Sequence, residues 1–301
     1  MINRLLGDKA KNDVFLARYT SARIGGPADF LVAAGSADEL AEMVRKLWAS
    51  GVKFMILGGG SNVLVADAGF RGAVVLNRAR TVRIEGQKEE ARVLAESGAN
   101  LGTVARRCAA GGYQGLEWAA TVPGTVGGAV VGNAGAYGGD MVRDLRMAEI
   151  LQRDGKRKWL PVQELHYQYR SSRLKREPGQ AVVLAGEFGP RKGSRPAAQA
   201  ALEEFVGHRK RTQPPGASIG SMFKNPPGDY AGRLIEAAGL KGLRSGNAEI
   251  SPVHANFFVN LGGAAAADVL RLIRQAQARV AEMFGVNLEL EVELVGEWEE
   301  T

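Results

Sequence analysis

A glycine-rich stretch at residues 115–139, GLEWAATVPGTVGGAVVGNAGAYGG, constrains the fold of this chain more than any other feature. Its glycines break both the 3.6-residue apolar period of a helix and the two-residue period of a strand, and Pro123 removes a backbone donor. Glycine lets backbone N–H groups approach a ligand closely, and such groups suit an anion such as a phosphate. Composition alone leaves a second interpretation open, a glycine-rich turn region in a tightly packed β domain.

A second glycine loop favours the ligand-binding interpretation. Residues 53–57, KFMIL, are typical of a buried strand, and GGGSN at 58–62 separates them from another apolar run at 63–65. This pattern of strand, glycine loop and strand fits neither the G-x-G-x-x-G dinucleotide fingerprint nor the P-loop motif. We therefore expect a large diphosphate ligand that backbone groups hold from two sides.

Length and cysteine content bound the class of protein. The chain has 301 residues, enough for about two domains. It has no apolar run near the ~20 residues that span a bilayer, and its N-terminus lacks the features of a signal peptide, which predicts a cytoplasmic protein. Cys108 is the only cysteine, so an intramolecular disulfide is impossible. It lies on the apolar stripe of an apparent helix, which predicts a buried and inert thiol.

The formal charge of +7 favours anionic partners, and the candidates are nucleic acid, an acidic membrane and phosphorylated small molecules. Basic residues are scattered, and neither an aromatic-interleaved RNA motif nor a zinc finger accompanies them. We expect neither a nucleic-acid nor a membrane partner. Most of these charges are expected to be solvated surface, and a few to steer a nucleotide ligand.

Periodicity and capping signals predict several helices and strands. Ser36 and Glu39 form a capping box for a helix that ends at Gly51, and Asn100 caps a helix over 101–110. Residues 1–20 are expected to be helix or coil. Asp229 is expected to cap a helix through Ala238. A long apolar period ends at Gly285, and the predicted strands are 30–33, 53–57, 73–77, 92–96, 146–151, 181–188 and 288–295.

Motifs spread over nearly the whole chain closely resemble those of the UDP-N-acetylenolpyruvoylglucosamine reductase family, flavoenzymes of peptidoglycan precursor synthesis. The matching segments are RIGGPAD at 23–29, LGGGSN at 57–62, GLEW at 115–118, VPGTVGGA at 122–129 and NAGAYG at 133–138. The resemblance implies an α+β protein: the two-subdomain FAD-binding fold of the vanillyl-alcohol oxidase and p-cresol methylhydroxylase type, followed by a C-terminal α+β substrate-binding domain. The expected domains are residues 1–80, 81–204 and 205–301, the last boundary following a polar linker.

The resemblance also implies FAD as cofactor, NADPH as reductant and a UDP-sugar substrate. The three histidines lie outside the glycine loops and Cys108 is expected to be buried, so noncovalent FAD is predicted. NADPH and substrate would use one pocket in turn, since no separate nicotinamide domain is visible. The predicted FAD-binding residues are Arg23, Gly58, Gly59, Gly60, Ser61, Asn62, Pro123, Gly124, Thr125, Gly127, Gly128, Asn133, Gly135, Ala136 and Tyr137.

Reduction of an enol ether needs a hydride, a stabiliser of the carbanionic intermediate and a proton donor. Ser221, in GSMFKNP, matches the family's proton donor, although a turn serine would explain it equally from sequence alone. Arg170, in YQYRSS, matches the family position for gripping the substrate carboxylate; the alternative is a surface arginine. Three glutamates alternate at 289, 291 and 293, and the family pattern E-V-x-x-x-G selects Glu291 as partner in stabilising the intermediate. A solvated strand face would also explain them.

Substrate binding is assigned by the same resemblance to Tyr169, Arg209, Lys224, Asn225 and His254. Lys224 could polarise Ser221 or contact a substrate phosphate, Arg209 could be part of a basic loop, and His254 could be structural. Asn256 is a further candidate for the substrate site.

Three features depart from the family pattern. Ile219 replaces a usually small residue before Gly220, and Arg173 adds charge after the Tyr-Arg motif. The short span between Arg170 and Ser221 indicates the shorter type without an inserted capping loop, so the residue that closes over the sugar nucleotide stays open.

The predicted function is NADPH-dependent reduction of UDP-N-acetylglucosamine enolpyruvate to UDP-N-acetylmuramate. The alternatives are a flavin oxidase of the same fold and a non-catalytic nucleotide-binding protein. The sequence does not fix the oligomeric state, and a monomer is the default expectation.

Overall fold

A computed structural model describes residues 5–7, 9–86 and 91–298. The chain forms two compact units that alternate along the sequence. Unit 1 takes the N-terminus up to Ala10, Val32–Gly59 and Val75–Arg209; unit 2 takes Lys11–Leu31, Gly60–Val74 and the chain from Lys210 onward. In the part of the chain that the structure describes, no helix is long and apolar enough to cross a membrane.

The secondary structure mixes short strands with helices of very different length. The strands are β1 (Lys11–Phe15), β2 (Pro27–Ala34), β3 (Phe54–Leu57), β4 (Val63–Val65), β5 (Phe70–Asn77), β6 (Val82–Glu85), β7 (Arg92–Glu96), β8 (Tyr113–Gln114), β9 (Gly135–Ala136), β10 (Gly139–Asp140), β11 (Leu145–Gln152), β12 (Arg157–Pro161), β13 (Ala181–Phe188), β14 (Arg191–Lys192), β15 (Ala217–Ser221), β16 (Arg244–Ser245), β17 (Ala248–Ile250), β18 (Phe257–Asn260) and β19 (Glu293–Val295). The helices are α1 (Ala37–Ser50), α2 (Leu101–Ala110), α3 (Val126–Gly132), α4 (Met141–Asp144), α5 (Arg173–Arg176), α6 (Arg195–Thr212), α7 (Ala231–Ala237) and α8 (Ala266–Phe284), with 3-10 turns at Leu16–Tyr19, Glu117–Thr121 and Val162–Leu165.

Unit 1 is built on an antiparallel sheet of order β12-β11-β13-β7-β6. Its core includes Trp118, Phe188 and Cys108, all buried. Helix α1 begins where Ser36 accepts a hydrogen bond from the Glu39 amide, and helix α2 begins where Asn100 accepts one from Thr103. These caps satisfy amides at the start of each helix that have no intrahelical partner.

Unit 2 contains an antiparallel sheet of order β15-β18-β17-β16 and a parallel pair, β4 with β19. The long amphipathic helix α8 contributes Leu272, Ile273 and Val280 to its core. Asp67 accepts hydrogen bonds from the amides of Ala266 and Ala267, which fixes the start of that helix. A further sheet has the order β1-β2-β5-β3. The chain passes from one unit to the other within β2 and within β5.

Most predicted elements are confirmed within one to three residues, and three predictions are wrong. The N-terminal segment contains strand β1 and a 3-10 turn, while residues 1–4 and 8 lie outside the described residues. Asp229 does not cap the helix it precedes: Tyr230 occupies that position, and Asp229 forms an ion pair with Arg233, which lowers the pKa of its carboxyl to about 2.

The predicted strand 288–295 is also wrong as a single element. Its first half pairs through Leu290 with Phe223, and its second half, β19, pairs with β4. Two different partners therefore divide a segment whose alternation is continuous in the sequence.

The division into units differs from the three-domain expectation. Helix α6 runs unbroken through the predicted boundary at 204/205, and unit 2 resumes at Lys210. The domains 1–80, 81–204 and 205–301 remain a proposal, because the compact units of a structure need not coincide with the domains of its family.

Candidate active site

The two glycine-rich segments approach each other closely in unit 1. A methyl group added at Gly58 would collide with the hydroxyl of Thr125, and one added at Gly59 would lie 3.1 Å from the Cα of Gly124. Protein packing alone therefore disfavours a side chain at 58 and, less strongly, at 59.

Helix α3 lies inside the glycine-rich stretch. The amides of Val126 and Gly127 donate to the carbonyls of Ala99 (2.9 Å) and Ser97 (2.8 Å), so protein acceptors already use them. Gly128 follows on the exposed side of the helix, and a methyl group there would meet only the Thr125 hydroxyl, at 3.8 Å. The backbone at Gly128 is therefore open to a ligand.

A tight hairpin completes the stretch. Strands β9 and β10 pair antiparallel, and Tyr137 and Gly138 both have positive φ, 51° and 77°. This is the backbone of the two-residue turns that match the twist of a hairpin. The Tyr137 ring stacks on Phe205 of α6 with centroids 4.8 Å apart, which fixes the hairpin against that helix.

The second half of the GGGSN loop belongs to unit 2. Gly60 has φ 60°, and a methyl group there would collide with the Tyr19 carbonyl oxygen. Its own carbonyl accepts a hydrogen bond from the Ser21 amide at 2.9 Å. Arg23, exposed and also at positive φ, follows in the same turn region.

The turn that carries Arg170 is docked on helix α3. Gln168 and Ser171 form a β-bridge, and Arg170 between them has φ 54°. The Tyr167 hydroxyl donates to the Val130 carbonyl at 2.8 Å, and the Ser172 hydroxyl donates to the Val131 carbonyl at 2.7 Å.

Asn133, at the end of α3, donates to the Gln168 carbonyl at 3.0 Å. This chain of contacts holds the Arg170 turn at a fixed place relative to the glycine-rich stretch. Burial raises the pKa of the Tyr167 hydroxyl, which therefore keeps its proton and acts as a donor.

Two predicted substrate residues of unit 1 differ in exposure. Tyr169 is exposed, with the Arg170 guanidinium 5.4 Å from the centroid of its ring. Arg209 is half-buried and donates a hydrogen bond to the Thr121 carbonyl, and burial lowers the pKa of its guanidinium. The Tyr169 side chain is exposed to solvent, whereas the Arg209 side chain is hydrogen-bonded to the backbone within the glycine-rich stretch.

Unit 2 brings Ser221 and Glu291 together through the backbone. Ser221 ends β15 after a β-bulge, and Gly220 before it has φ 87°. The amide of Glu291 donates to the carbonyl of Met222 at 2.9 Å, and the amide of Lys224 donates to the carbonyl of Glu289 at 2.8 Å. The segment after Ser221 and the segment that carries Glu291 therefore run side by side.

Asn256, in the turn that precedes β18, holds the same segment. Its side-chain oxygen accepts from the Phe223 amide at 2.9 Å, and its side-chain nitrogen donates to the Phe223 carbonyl at 2.8 Å. Both ends of the amide are used on one backbone residue, so Asn256 fixes the loop that follows Ser221. Sequence reasoning placed Asn256 near the substrate but gave no sign of this clamp.

The remaining predicted substrate residues lie around that loop. Lys224 forms an ion pair with Glu289, and the side chain of the exposed Asn225 accepts a hydrogen bond from the Ala231 amide at 3.1 Å. His254 Nδ1 accepts from the Asn256 amide at 3.2 Å, and burial lowers the pKa of the imidazole. His254 is therefore neutral at pH 7, with its proton on Nε2.

Comparisons with known proteins agree on one family. The model described as "UDP-N-acetylenolpyruvoylglucosamine reductase, C-terminal domain" matches residues 212–295, and that described as "FAD binding domain" matches residues 28–160. Among curated proteins, a UDP-N-acetylenolpyruvoylglucosamine reductase of Chloroflexus aggregans is 47% identical over 93% of this chain and 95% of its own length. One from Rubrobacter xylanophilus is 47% identical over 96% of each chain.

A solved structure agrees with the sequence comparison. The UDP-N-acetylenolpyruvylglucosamine reductase of Thermus caldophilus superposes with a TM-score of 0.81 at 36% identity, covering 94% of this chain and 98% of that one. The chain belongs to the UDP-N-acetylenolpyruvoylglucosamine reductase family.

Membership of this reductase family confirms the predicted α+β fold with an FAD-binding part and a C-terminal domain. The residues present fit a flavin dinucleotide at the glycine-rich stretch, because the backbone is exposed at Gly59, Pro123 and Gly128 and a methyl group would fit at Gly128 without displacing the protein. The prediction that Cys108 is buried is confirmed, and burial raises the pKa of its thiol to about 12.

Proposed function

We propose that this chain is an FAD-containing, NADPH-dependent reductase that converts UDP-N-acetylglucosamine enolpyruvate to UDP-N-acetylmuramate, a step of peptidoglycan precursor synthesis. Relatives that are 47% identical over nearly their full length carry the name of this activity. Neither a flavin oxidase nor a non-catalytic nucleotide-binding protein is favoured by these comparisons. The observation that carries the proposal is the backbone pairing that holds Ser221 and Glu291 on adjacent segments.

The chemistry divides between the cofactor and the side chains. The residues of the two glycine-rich segments would hold FAD, which after reduction by NADPH would supply the hydride for the methylene carbon of the enol ether. Ser221 donates a proton to the neighbouring carbon, so that the double bond becomes a single bond. A hydroxyl is a weak acid, and its proton leaves more readily when a cation or a second proton source lies close to it.

Arg170 and Glu291 are assigned to the intermediate and Lys224 to the substrate. The guanidinium of Arg170 would grip the substrate carboxylate, onto which negative charge spreads as the hydride arrives. Glu291 in its protonated form is proposed as its partner, because only the protonated carboxyl group can donate a hydrogen bond to that charge. The ion pair between Lys224 and Glu289 holds the ammonium group near the loop of Ser221, where it can meet a phosphate of the UDP-sugar.

The FAD contacts are proposed for the residues at the two glycine-rich segments. Arg23 and Ser61 extend this set in unit 2, and Asn133 and Tyr137 extend it in unit 1; the resemblance also assigns Asn62 to FAD, but its hydrogen bonds to Glu291 and Glu293 favour a different role. Tyr169, Arg209, Asn225 and His254 are proposed for the UDP-sugar. A cytoplasmic location and a monomeric state stay predictions from the sequence.

The test separates the two half-reactions under anaerobic conditions. Purified holoenzyme is bleached with NADPH, the enolpyruvyl sugar nucleotide is added, and the return of flavin colour is timed. Ser221→Ala is expected to bleach at the normal rate and to regain colour more slowly by about 10²- to 10⁴-fold, the range for a lost general acid.

Ser218→Ala is the matched control, because it removes a hydroxyl from the same strand. It is expected to bleach and regain colour as the parent enzyme does. Equal rates of colour return in Ser221→Ala and the parent would remove Ser221 from its role. A parent protein that binds no flavin, or that NADPH does not bleach, would refute the proposed function as a whole.

A further inference from the structure

Asn62 ends the GGGSN loop, and its contacts point away from the role that the sequence suggests. The resemblance assigns it to FAD together with its glycine neighbours. In the structure its side-chain nitrogen donates to the carbonyl oxygen of Glu291 at 3.1 Å, and its own carbonyl accepts from the amide of Glu293 at 3.0 Å. Asn62 is thus hydrogen-bonded to the backbone on both sides of Val292, at Glu291 and at Glu293.

These two hydrogen bonds begin a longer connection. After Asn62 the chain enters β4, which pairs in parallel with β19 from Glu293 to Val295. On the other side, the Glu291 amide donates to the Met222 carbonyl at 2.9 Å, one residue after Ser221. Asn62, Glu291 and the end of β15 are therefore joined in sequence by hydrogen bonds within unit 2.

The bond from the Asn62 side chain is the component of this connection that a substitution can remove. The backbone bonds remain in any variant that folds, whereas the Nδ2 donor belongs to Asn62 alone. Glu291 is half-buried and precedes the buried Val292. If the Asn62 donor is lost, the backbone of Glu291 keeps the hydrogen bond from its amide to the Met222 carbonyl and loses the one to its own carbonyl.

We propose that Asn62 is a positioning residue for Glu291 and acts on the substrate half-reaction rather than on FAD binding. The carboxyl group of Glu291 follows its backbone, so a shift of that backbone moves the carboxyl group relative to the reacting carbon. A misplacement of about 1 Å at a reacting group can reduce a rate by ~10²-fold. The proposal rests on the proposed function, because it assumes that Glu291 serves the reduction of the enolpyruvyl group.

The test uses Asn62→Ala holoenzyme and three measurements. FAD affinity is measured by flavin fluorescence, the NADPH step by bleaching, and the substrate step by the return of colour over a range of pH. We expect the return of colour to slow by about 10- to 100-fold and its pH profile to shift, because the surroundings of a carboxylate set its pKa. FAD affinity and the bleaching rate are expected to stay within about threefold of the parent.

Asn260→Ala is the matched control for a merely structural effect. The side chain of Asn260 donates to the Ala22 carbonyl at 2.9 Å and accepts from the amides of Gly262 and Ala264, so its removal breaks more hydrogen bonds in the same unit. A general loss of stability would therefore slow the control at least as much as Asn62→Ala. We expect the control to keep the parent's pH profile and its rate of colour return.

Two results would overturn the proposal. In the first, FAD affinity falls in parallel with the substrate step, which would make Asn62 an FAD-binding residue as the resemblance implies. In the second, the substrate step is unchanged. If Asn62→Ala gives no folded holoenzyme, Asn62→Ser, which retains a shorter donor, is measured in the same way and judged by the same results. Failure of the proposed function is distinct, since the parent enzyme itself would then not regain colour with the enolpyruvyl substrate.

Discussion

The turn that carries Arg170 and the strand end that carries Ser221 are fixed by different kinds of hydrogen bond. The Arg170 turn is attached to helix α3 by side chains, through the hydroxyls of Tyr167 and Ser172 and the amide of Asn133. The Ser221 loop is attached mainly by backbone pairing to Glu289 and Glu291. A point substitution can remove the first kind of attachment, but it leaves most of the second in place.

Because of this difference, the two regions are not equally open to a substitution that changes the site and leaves the fold intact. Around Arg170, the side chains of Tyr167, Ser172 and Asn133 hold the turn and the proposed catalytic group is Arg170, so the two roles can be tested one at a time. Around Ser221, the side-chain amides of Asn62 and Asn256 add hydrogen bonds to a backbone framework.

The largest expected effect concerns Arg170 itself. Arg170→Lys keeps the positive charge but loses the planar fork that grips a carboxylate through two bonds. We expect kcat for the enolpyruvyl substrate to fall by about 10²- to 10³-fold, as for loss of a donor that acts on the developing charge. NADPH bleaching should be unchanged, because this step involves no substrate carboxylate.

Arg173→Lys is the control for that substitution. Arg173 lies in the same basic segment, at the first residue of α5, and is half-buried like Arg170. Equal losses in the two variants would show that the effect does not depend on the guanidinium of Arg170 in particular.

A smaller effect is expected when the attachment of the Arg170 turn is weakened. Tyr167→Phe removes the hydroxyl that donates to the buried Val130 carbonyl and leaves the ring in place. We expect the free energy of unfolding to fall by about 1 kcal/mol and kcat by about tenfold, with FAD affinity unchanged. Chemical denaturation and steady-state kinetics measure the two quantities.

Tyr113→Phe removes a comparable bond elsewhere in unit 1, from the hydroxyl to the Gly86 carbonyl at 3.0 Å. It should lower stability by a similar or smaller amount without changing kcat. If both variants lowered kcat equally, the effect would come from general loosening of unit 1, and the contrast between the two regions would be weakened.

A third test asks which glycines of α3 face a ligand. Gly128→Ala and Gly132→Ala both place a methyl group where the protein has room, and only Gly128 is predicted to meet FAD. Alanine stabilises a helix by about 0.5–1 kcal/mol relative to glycine, so neither variant should lower the melting temperature of the apoprotein. We expect FAD affinity to fall by about tenfold for Gly128→Ala alone. Equal affinity in both would remove Gly128 from the cofactor site.

Much of the fold was accessible from the sequence because its signals are local. The Ser36 cap, the Asn100 cap and the apolar period of α8 each depend on residues within one segment of the chain, and each is confirmed. The second bond of the predicted capping box is not, because the Glu39 carboxylate accepts from the Gly35 amide and not from that of Ser36. Helix α3 was missed because its glycines mask a short apolar period of Val126, Ala129 and Val130, all buried. That spacing was the signal that could have revealed it.

The candidate site was accessible only through resemblance, since its organisation depends on contacts between distant residues. The bonds from Asn62 to Glu291 and from Asn256 to Phe223 join positions 229 and 33 residues apart. Periodicity carries no information about such pairs. The strand predicted at 288–295 failed for the same reason, because its two halves pair with different partners.

The smallest expected effect is a change in the pH dependence of stability at His254. Burial lowers the pKa of its imidazole, and among charged groups Lys241 favours the neutral form while Glu236 opposes it. The unfolded chain, with a histidine pKa near ~6.5, therefore binds more protons than the folded chain below that pH. Stability from this group is fully present above pH ~6.5 and is lost as pH falls below it.

His254→Asn removes the titratable imidazole. The side-chain oxygen of the new residue can accept the hydrogen bond from the Asn256 amide in place of Nδ1. Between pH 7 and 5 we expect the melting temperature of the variant to fall less steeply than that of the parent, and the two to agree more closely at pH 7. A melting temperature that falls more steeply with pH in the variant than in the parent would mean that His254 is charged in the folded state. It would then be a cationic side chain beside the Ser221 loop, as Lys224 is, and the contrast between the two regions would have to include it.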